Sequence, residues 1–417
     1  MAREYKILVG GTWKTTGNTL DVVSPYSGEP VGRTFIGGEA ELEEALAAAD
    51  ALRGELRAMP AYEKAAIIEK VAEGIGDRAE ELARTISGEA GKPIRDARGE
   101  VGRAQGTFRL AAEEAKRLGG EVIPLDIAPG SEGRFGIVRR FPVGTVLGIS
   151  PFNFPLNLVA HKVAPAMACG NPIIIKPASK TPLSALLLGE IITAAGWPAG
   201  GVSVVPAPGA SAERLLADDR VKKLTFTGSA AVGWRLKERA GHRRVTLELG
   251  GNAGVIVHGD ADLELAAKRC TVGAFAYAGQ VCISVQRIYV ERTVFEEFKR
   301  LYLDACSALR SGDPLDDTTD IGPMIEEQAA VRTEAWVKEA LSGGAELLLG
   351  GRRSGAFFEP TVLTGTQPSM KVCGEEVFAP VASLEPYDTF EEAVAEVNRG
   401  LYGLQAGVFT RDSGRVF

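Results

Sequence analysis

The sequence predicts an α/β protein, a doubly wound parallel sheet followed by a second α/β domain. Three observations predict it. Apolar runs alternate with amphipathic helical stretches through the middle of the chain. A second alternation begins after residue 260. At 417 residues the chain is long for a single hydrophobic core, so two or three domains are the natural organisation. Composition is that of a globular protein, 45% hydrophobic and 24% charged, which excludes a largely disordered chain.

The elements follow in order. Residues 1–30 carry two turn signals, Gly10 with Gly11 and the run 24–28 (Ser-Pro-Tyr-Ser-Gly), between short β-rich runs. From 39 to 118 Ala, Glu, Leu and Arg recur at spacings of three and four, the helical period. Residues 121–141 return to β character around a Pro-Gly-Ser-Glu-Gly turn at 129–133, which predicts a hairpin. The runs 143–149, 172–176, 202–205, 224–227 and 254–257 read as buried strands, with helices at 182–195 and 211–217 between some of them. Further helices are expected at 263–276, 294–308 and 325–343, a strand at 404–409, and a helix start at 412–417. No internal repeat or low-complexity tract interrupts this order.

Charge and composition narrow the function. A net charge of -7 and a pI near 5.4 argue against nucleic-acid and anionic-membrane partners. No apolar run is long enough to span a bilayer, and the first residues lack the apolar segment of a signal peptide. Cys169, Cys270, Cys282, Cys306 and Cys373 are scattered without metal-ligand spacing, and only His161, His242 and His258 accompany them. Reduced thiols, a cytoplasmic location and no metal site are expected.

Cys282 is the most informative residue. It lies in a loop of small residues after Gly279 and Gln280 and before a strand-like run. Alone it reads as a small buried hydrophobe; with open approach and a favourable environment it reads as a reactive thiol. Glu248 ends a strand just before Gly250 and Gly251, either bonded to the amides of that turn or acting as a general base. A nucleophile and a base on separate glycine-flanked loops are what covalent acyl chemistry requires. Residues 151–155 (Pro-Phe-Asn-Phe-Pro) follow a predicted strand, so Asn153 is a donor for a developing oxyanion or a helix cap near Leu156. Lys176 and Lys180 flank Ser179 after the strand 172–175, as a grip on ribose or phosphate or as solvated lysines. Residues 226–233 place Gly228 and Gly233 between a strand and a helix, a generic phosphate loop without the G-x-G-x-x-G spacing. Glu376 and Phe378 precede Pro380, suited to a ribose and a flat ring or simply to solvent.

In this order and at these separations, the motifs at 151–155, 176–179, 226–233, 248–251, 279–282 and 376–380 resemble those of the aldehyde dehydrogenase superfamily, over almost the whole chain. The runs 280–284 and 157–162 look like its lactaldehyde and phosphonoacetaldehyde dehydrogenase branch. The resemblance implies a Rossmann-like dinucleotide-binding domain at 1–120 and 142–250. It also implies a hairpin of a small β oligomerisation arm at 121–141 and a catalytic α/β domain at 251–417. Family members continue beyond the equivalent of Phe417, so the chain is expected to be C-terminally incomplete, and a homodimer or homotetramer when full length.

The implied mechanism has the Cys282 thiolate add to an aldehyde carbon. The oxyanion is held by the Asn153 amide and the Cys282 N–H, donors worth roughly 3–4 kcal/mol of barrier in such sites. Hydride leaves to the nicotinamide, and Glu248 activates water to release the acid, with Lys162 assisting in the same pocket unless it is a surface lysine. Ser150, Pro151, Phe152, Lys176, Ser179, Lys180, Gly209, Thr227, Gly228, Ser229, Leu249, Glu376 and Phe378 are the residues the resemblance assigns to the cofactor. Coenzyme A-acylating members usually lack a glutamate at the position of Glu248, so its presence favours hydrolysis. NAD-preferring relatives often place a glutamate where this chain has Ser179; Ser179 with Lys180 predicts NADP, with NAD possible. Arg103, His161, Val281 and Ile283 are assigned to the substrate, expected to be a small, polar 2-hydroxyaldehyde, unless Arg103 is an ordinary surface or ion-paired arginine. Val281, where phosphate-selecting members can carry an arginine, weighs against glyceraldehyde 3-phosphate. Two alternatives remain: a coenzyme A-acylating dehydrogenase, and a catalytically silent nucleotide-binding relative.

Overall fold

The computed structural model describes residues 3–417. The chain forms two compact units. The first comprises residues up to 22, 30–85 and 98–248; the second comprises 23–29, 86–97 and 249–417. The segments 23–29 and 86–97, expected from the sequence to stay with the first domain, pack within the second unit.

The first unit is built on a seven-stranded sheet. Its strands are β1 (Ile7–Val9), β2 (Thr12–Lys14), β3 (Thr145–Ile149), β4 (Ile173–Lys176), β5 (Val202–Val204), β6 (Val221–Thr227) and β7 (Arg244–Glu248). The order is β7-β6-β3-β4-β5-β1-β2; the first five are parallel, and β1 and β2 are added antiparallel at one edge. In β4, Ile173, Ile174 and Ile175 are all buried although successive side chains point to opposite faces, so both faces of the sheet are covered. The chain runs from β3 outward through β4 to β5, then returns to the other side of β3 as β6. That reversal makes the carboxyl ends of β3 and β6 a topological switch point, where doubly wound sheets receive ligands.

The helical stretch 39–118 is four helices, α1 (Glu39–Ala58), α2 (Ala61–Asp77), α3 (Ala79–Ala90) and α4 (Ile94–Arg117). Pro60 stands at the α2 N-cap, and Gly91, at φ +67°, with Pro93 separates α3 from α4. Next come α5 (Asn157–Ala168), α6 (Leu183–Ala194), α7 (Gly209–Arg214) and α8 (Ala230–Ala240). Strand β7 ends at Glu248 as expected, and its alternating Arg-Val-Thr-Leu-Glu is only partly apolar, as befits the sheet's edge. The hairpin forms as expected from 121–141, Glu121–Pro124 pairing antiparallel with Phe135–Val138.

The second unit carries a six-stranded sheet. Its strands are β8 (Ala253–Val257), β9 (Val285–Glu291), β10 (Glu346–Leu349), β11 (Thr361–Thr364), β12 (Val381–Tyr387) and β13 (Ala406–Phe409), in the order β10-β11-β12-β9-β8-β13. Only β10 is antiparallel to its neighbour. The run 254–257, which reads with the strands of the first sheet, is therefore part of the second. Helices α9 (Leu263–Phe275), α10 (Phe295–Ser307), α11 (Glu327–Ser342) and α12 (Phe390–Asn398) complete the unit. Its core gathers Val255, Phe275, Ile288, Phe298, Tyr302 and Leu384. Near the end of the chain the expected helix start is a single 3₁₀ turn, Ser413–Arg415. Among the described residues no helix is long and apolar enough to cross a membrane.

Candidate active site

In the first unit the expected residues gather at the carboxyl ends of β3, β4, β6 and β7. Ser150 continues β3, and its N–H donates to the Lys176 carbonyl at the end of β4. The loop 151–155 then leads into α5. Glu100, a buried carboxylate of α4, accepts the N–H groups of both Leu156 and Asn157 at 3.0 Å. The start of α5 is thus capped by Glu100, which leaves the buried Asn153 side chain its other reading as a donor. Beside it, the Arg103 guanidinium lies 5.6 Å from the Phe154 ring centroid. Desolvation first, then the cations of Arg103 and Lys162, hold the His161 imidazole below its ordinary range.

Lys162 is no surface lysine. It is 5% exposed, and its Nζ donates to Thr227 Oγ1 at 2.5 Å. Gly148 leaves room for this arrangement: an added Cβ there would lie 2.5 Å from Ile175 and 3.5 Å from the Lys162 stem. Burial pushes Lys162 down to about 8, partly opposed by the negative charge of Glu248. Glu248 pairs in register with Thr227 across β6 and β7, and its carbonyl accepts the Gly228 N–H. Thr227, Lys162 and Glu248 therefore form one cluster at the switch point.

The residues present fit a nicotinamide dinucleotide at these strand ends. The Ser150 hydroxyl is buried without a hydrogen-bond partner, and Lys176 is a half-buried cation lowered from its usual range by desolvation. Ser179, Lys180 and Ser229 are exposed, and Gly209 opens α7 with no heavy atom within 4 Å of an added Cβ. Pro151, Phe152 and Gly228 are half-buried.

The second unit builds the surroundings of Cys282. The turn before it is left-handed at three successive residues, Tyr277 (φ 50°), Ala278 (φ 52°) and Gly279 (φ 67°). Glycine accepts this conformation readily, whereas Tyr and Ala are held there at roughly 1–3 kcal/mol each. Gly279 is required for space as well, since an added Cβ would sit 2.1 Å from the Ala379 carbonyl. Gln280 is buried, its Oε1 accepting the Ile325 N–H at 2.8 Å. Cys282 itself is half-buried, between half-buried Val281 and exposed Ile283. Its carbonyl rests against Gly251, where a Cβ would come within 2.3 Å.

Glu376 faces the same glycine turn. Its Oε1 accepts the Gly251 N–H at 2.9 Å, and its carboxylate fills the place of a Gly250 Cβ. Burial raises its carboxyl above the usual range, opposed by the Gly251 N–H and by Arg332. The reading of Glu248 as the acid bonded to this turn thus fails for Gly251, whose amide is taken by Glu376. Phe378 is half-buried and left-handed at φ 52°, and Leu249 is half-buried. Among the described residues no group of three His, Cys, Asp or Glu is placed to hold a metal ion.

Sequence reasoning missed Glu100, the partnership of Lys162 with Thr227, and the Lys92 and Tyr277 contacts described below. A buried acid eight residues after a lysine on a helical stretch carries no local signal, because its partners lie 56 and 57 residues away.

The aldehyde dehydrogenase family model matches residues 13–417. The chain is 45% identical over 412 residues to a 3-sulfolactaldehyde dehydrogenase of Priestia megaterium, covering 98% of this chain and 86% of that protein. It is 38% identical over 412 residues to a lactaldehyde dehydrogenase of Methanocaldococcus jannaschii, covering 97% and 87%. The crystal structure of aldehyde dehydrogenase 21 from Physcomitrella patens, in complex with the reaction product succinate, matches with a TM-score of 0.98 at 45% identity. That match covers 100% of this chain and 87% of the other. The chain belongs to the aldehyde dehydrogenase family and is an NAD(P)-dependent oxidoreductase acting on aldehyde groups.

Proposed function

We propose that the chain oxidises a short aldehyde bearing a polar or anionic group to its free acid, with Cys282 as nucleophile and Glu248 as the hydrolytic base. The observation that carries this reading is that one chain holds both groups the chemistry requires, Cys282 on a conformationally constrained turn of the second unit and Glu248 at the end of β7 in the first. The Cys282 thiolate forms a C–S bond to the aldehyde carbon. The Asn153 amide and the Cys282 N–H donate to the oxygen that becomes negative. A nicotinamide, when bound, supplies the hydride acceptor. Its ribose and phosphates fall to Ser150, Lys176, Thr227, Gly228 and Glu376. Glu248 then takes a proton from water, which attacks the thioester carbon; the C–S bond breaks and the thiol is regenerated. Lys162 holds a cation beside Glu248 and fixes Thr227.

NADP is the proposed cofactor. At Ser179 no carboxylate repels a 2′-phosphate, and exposed Lys180 adds a cation next to it. For the substrate we propose a 2-hydroxyaldehyde with an anionic tail. Among the names of the relatives, 3-sulfolactaldehyde combines both features, lactaldehyde has the hydroxyl alone, and the bound succinate has the anionic group alone. On this chain, Arg103 with His161 supplies the anion-seeking group, one residue from Asn153 through the Phe154 ring.

The test is growth of reduced-nicotinamide absorbance with NADP or NAD across lactaldehyde, 3-sulfolactaldehyde and succinate semialdehyde, with and without coenzyme A. Turnover that is lost in Cys282→Ala is expected. A strict requirement for coenzyme A would establish the acylating alternative, and cofactor binding without reduction would establish the silent one.

A further inference from the structure

The turn that leads to Cys282 opposes the preferences of its own residues, and buried groups of the same unit hold it in place. Tyr277 is 1% exposed, and an aromatic residue at φ 50° is a backbone outlier where asparagine or glycine would rest more easily. A side chain kept at such a position is kept for its contacts. The Tyr277 hydroxyl donates to the Ala90 carbonyl at 2.7 Å, and its carbonyl accepts the Gln280 N–H at 3.1 Å. The ring carries a further contact. Lys92, with no exposed surface, places its ammonium 4.7 Å from the ring centroid.

Lys92 is anchored in turn. Its carbonyl accepts the buried Ser87 hydroxyl at 2.5 Å, and the Ile94 N–H two residues on donates to the Pro314 carbonyl at 2.7 Å. The far end of the turn is equally fixed, by Gly279 against Ala379 and by the Gln280 side chain on Ile325. Between these clamps the chain has only Val281 in which to adjust before Cys282.

We propose that Tyr277 and Lys92 are positioning residues for the Cys282 thiol, locking the left-handed turn that sets where the sulfur stands. The proposal rests on Cys282 being the nucleophile, as argued above. It touches neither substrate nor cofactor contacts, so it predicts a defect confined to the step in which sulfur must be aligned with the aldehyde carbon. Misplacement by about 1 Å at such a step commonly costs up to about 100-fold.

The experiment compares Tyr277→Phe, which removes one oxygen, and Lys92→Met, which keeps the stem but removes the cation, with wild type and Cys282→Ala. Single-turnover appearance of reduced nicotinamide is measured with NADP and lactaldehyde, alongside KM values, the thermal midpoint, and the rate of Cys282 alkylation by iodoacetamide. We expect the single-turnover rate to fall about tenfold or more in both variants, with KM changing less than about twofold and alkylation, which needs no aldehyde alignment, nearly unchanged. The double variant is expected to be no slower than the worse single one, because the two residues act on one turn.

Single-turnover rates within about twofold of wild type in both variants would overturn the proposal. So would slowing matched by equal loss of cofactor binding and thermal midpoint, which marks a merely structural role. If Lys92→Met does not fold, Tyr277→Phe alone decides. Activity persisting in Cys282→Ala would instead defeat the reading of the nucleophile. A dead Cys282→Ala beside unaffected turn variants would defeat only the positioning role.

Discussion

Burial turns Lys162 from an ordinary cation into a group that titrates near 8. The sign of its effect on stability follows. Between about 8 and its ordinary 10.5 the unfolded chain binds the proton and the folded chain does not, so stability rises with pH across that window and is flat below it. We expect the urea midpoint of wild type, relative to Lys162→Met, to climb from pH 8 to 10; a difference independent of pH would contradict the burial argument. At the cofactor, Ser179→Glu is expected to lower kcat/KM for NADP by about tenfold or more while sparing NAD, as a carboxylate beside the 2′-phosphate is repelled. Equal effects on both cofactors would refute that assignment. As candidates, Cys282 and Glu248 stand out in the sequence because each has glycines nearby and the six motifs follow one another in order. The burial of Lys162 was not, since His161 and Lys162 stand side by side on a helix and only the fold decides which of the two turns inward.

Helix α5 depends on an acid from α4. Removing the Glu100 carboxylate leaves the Leu156 and Asn157 N–H groups buried without their acceptor, an omission that costs about 1–3 kcal/mol per group. Glu100→Ala is therefore expected to lower the urea midpoint and, by loosening the loop that holds Asn153, to reduce kcat more than the aldehyde KM. Unchanged kcat would separate the cap from catalysis. At this scale the helices were the readable elements, because Ala, Glu, Leu and Arg at three- and four-residue spacing admit one period. Strands β10, β11 and β12 escaped notice. Three leucines in β10 read equally well as helix, and Glu385 and Pro386 within β12 break a strand pattern.

The whole chain divides into two units, each with its own sheet, and the division is only partly sequential. Segments 23–29 and 86–97 join the second unit through contacts that no local pattern announces. The hairpin was readable from its turn, and the structure shows how much apolar surface it exposes: Val122 is 72% exposed, Ile127 84%, Phe135 65% and Ile137 66%. A homodimer or homotetramer, expected from the sequence, would cover exposed side chains of this kind on a two-stranded ribbon. Replacing Phe135 and Ile137 with glutamate is expected to shift sedimentation toward a smaller species. A monomeric wild type, or an unchanged variant, would remove the hairpin from assembly.

The central claim, that aldehyde oxidation passes through a Cys282 thioester released by Glu248, is tested most directly by intact and peptide mass spectrometry of Glu248→Gln. The protein would be mixed with NADP and lactaldehyde and quenched in acid. The account predicts a burst of reduced nicotinamide and steady turnover slowed about 100-fold or more. It also predicts an acyl adduct on the peptide carrying Cys282. A burst without any adduct, or an adduct on another residue, would contradict it.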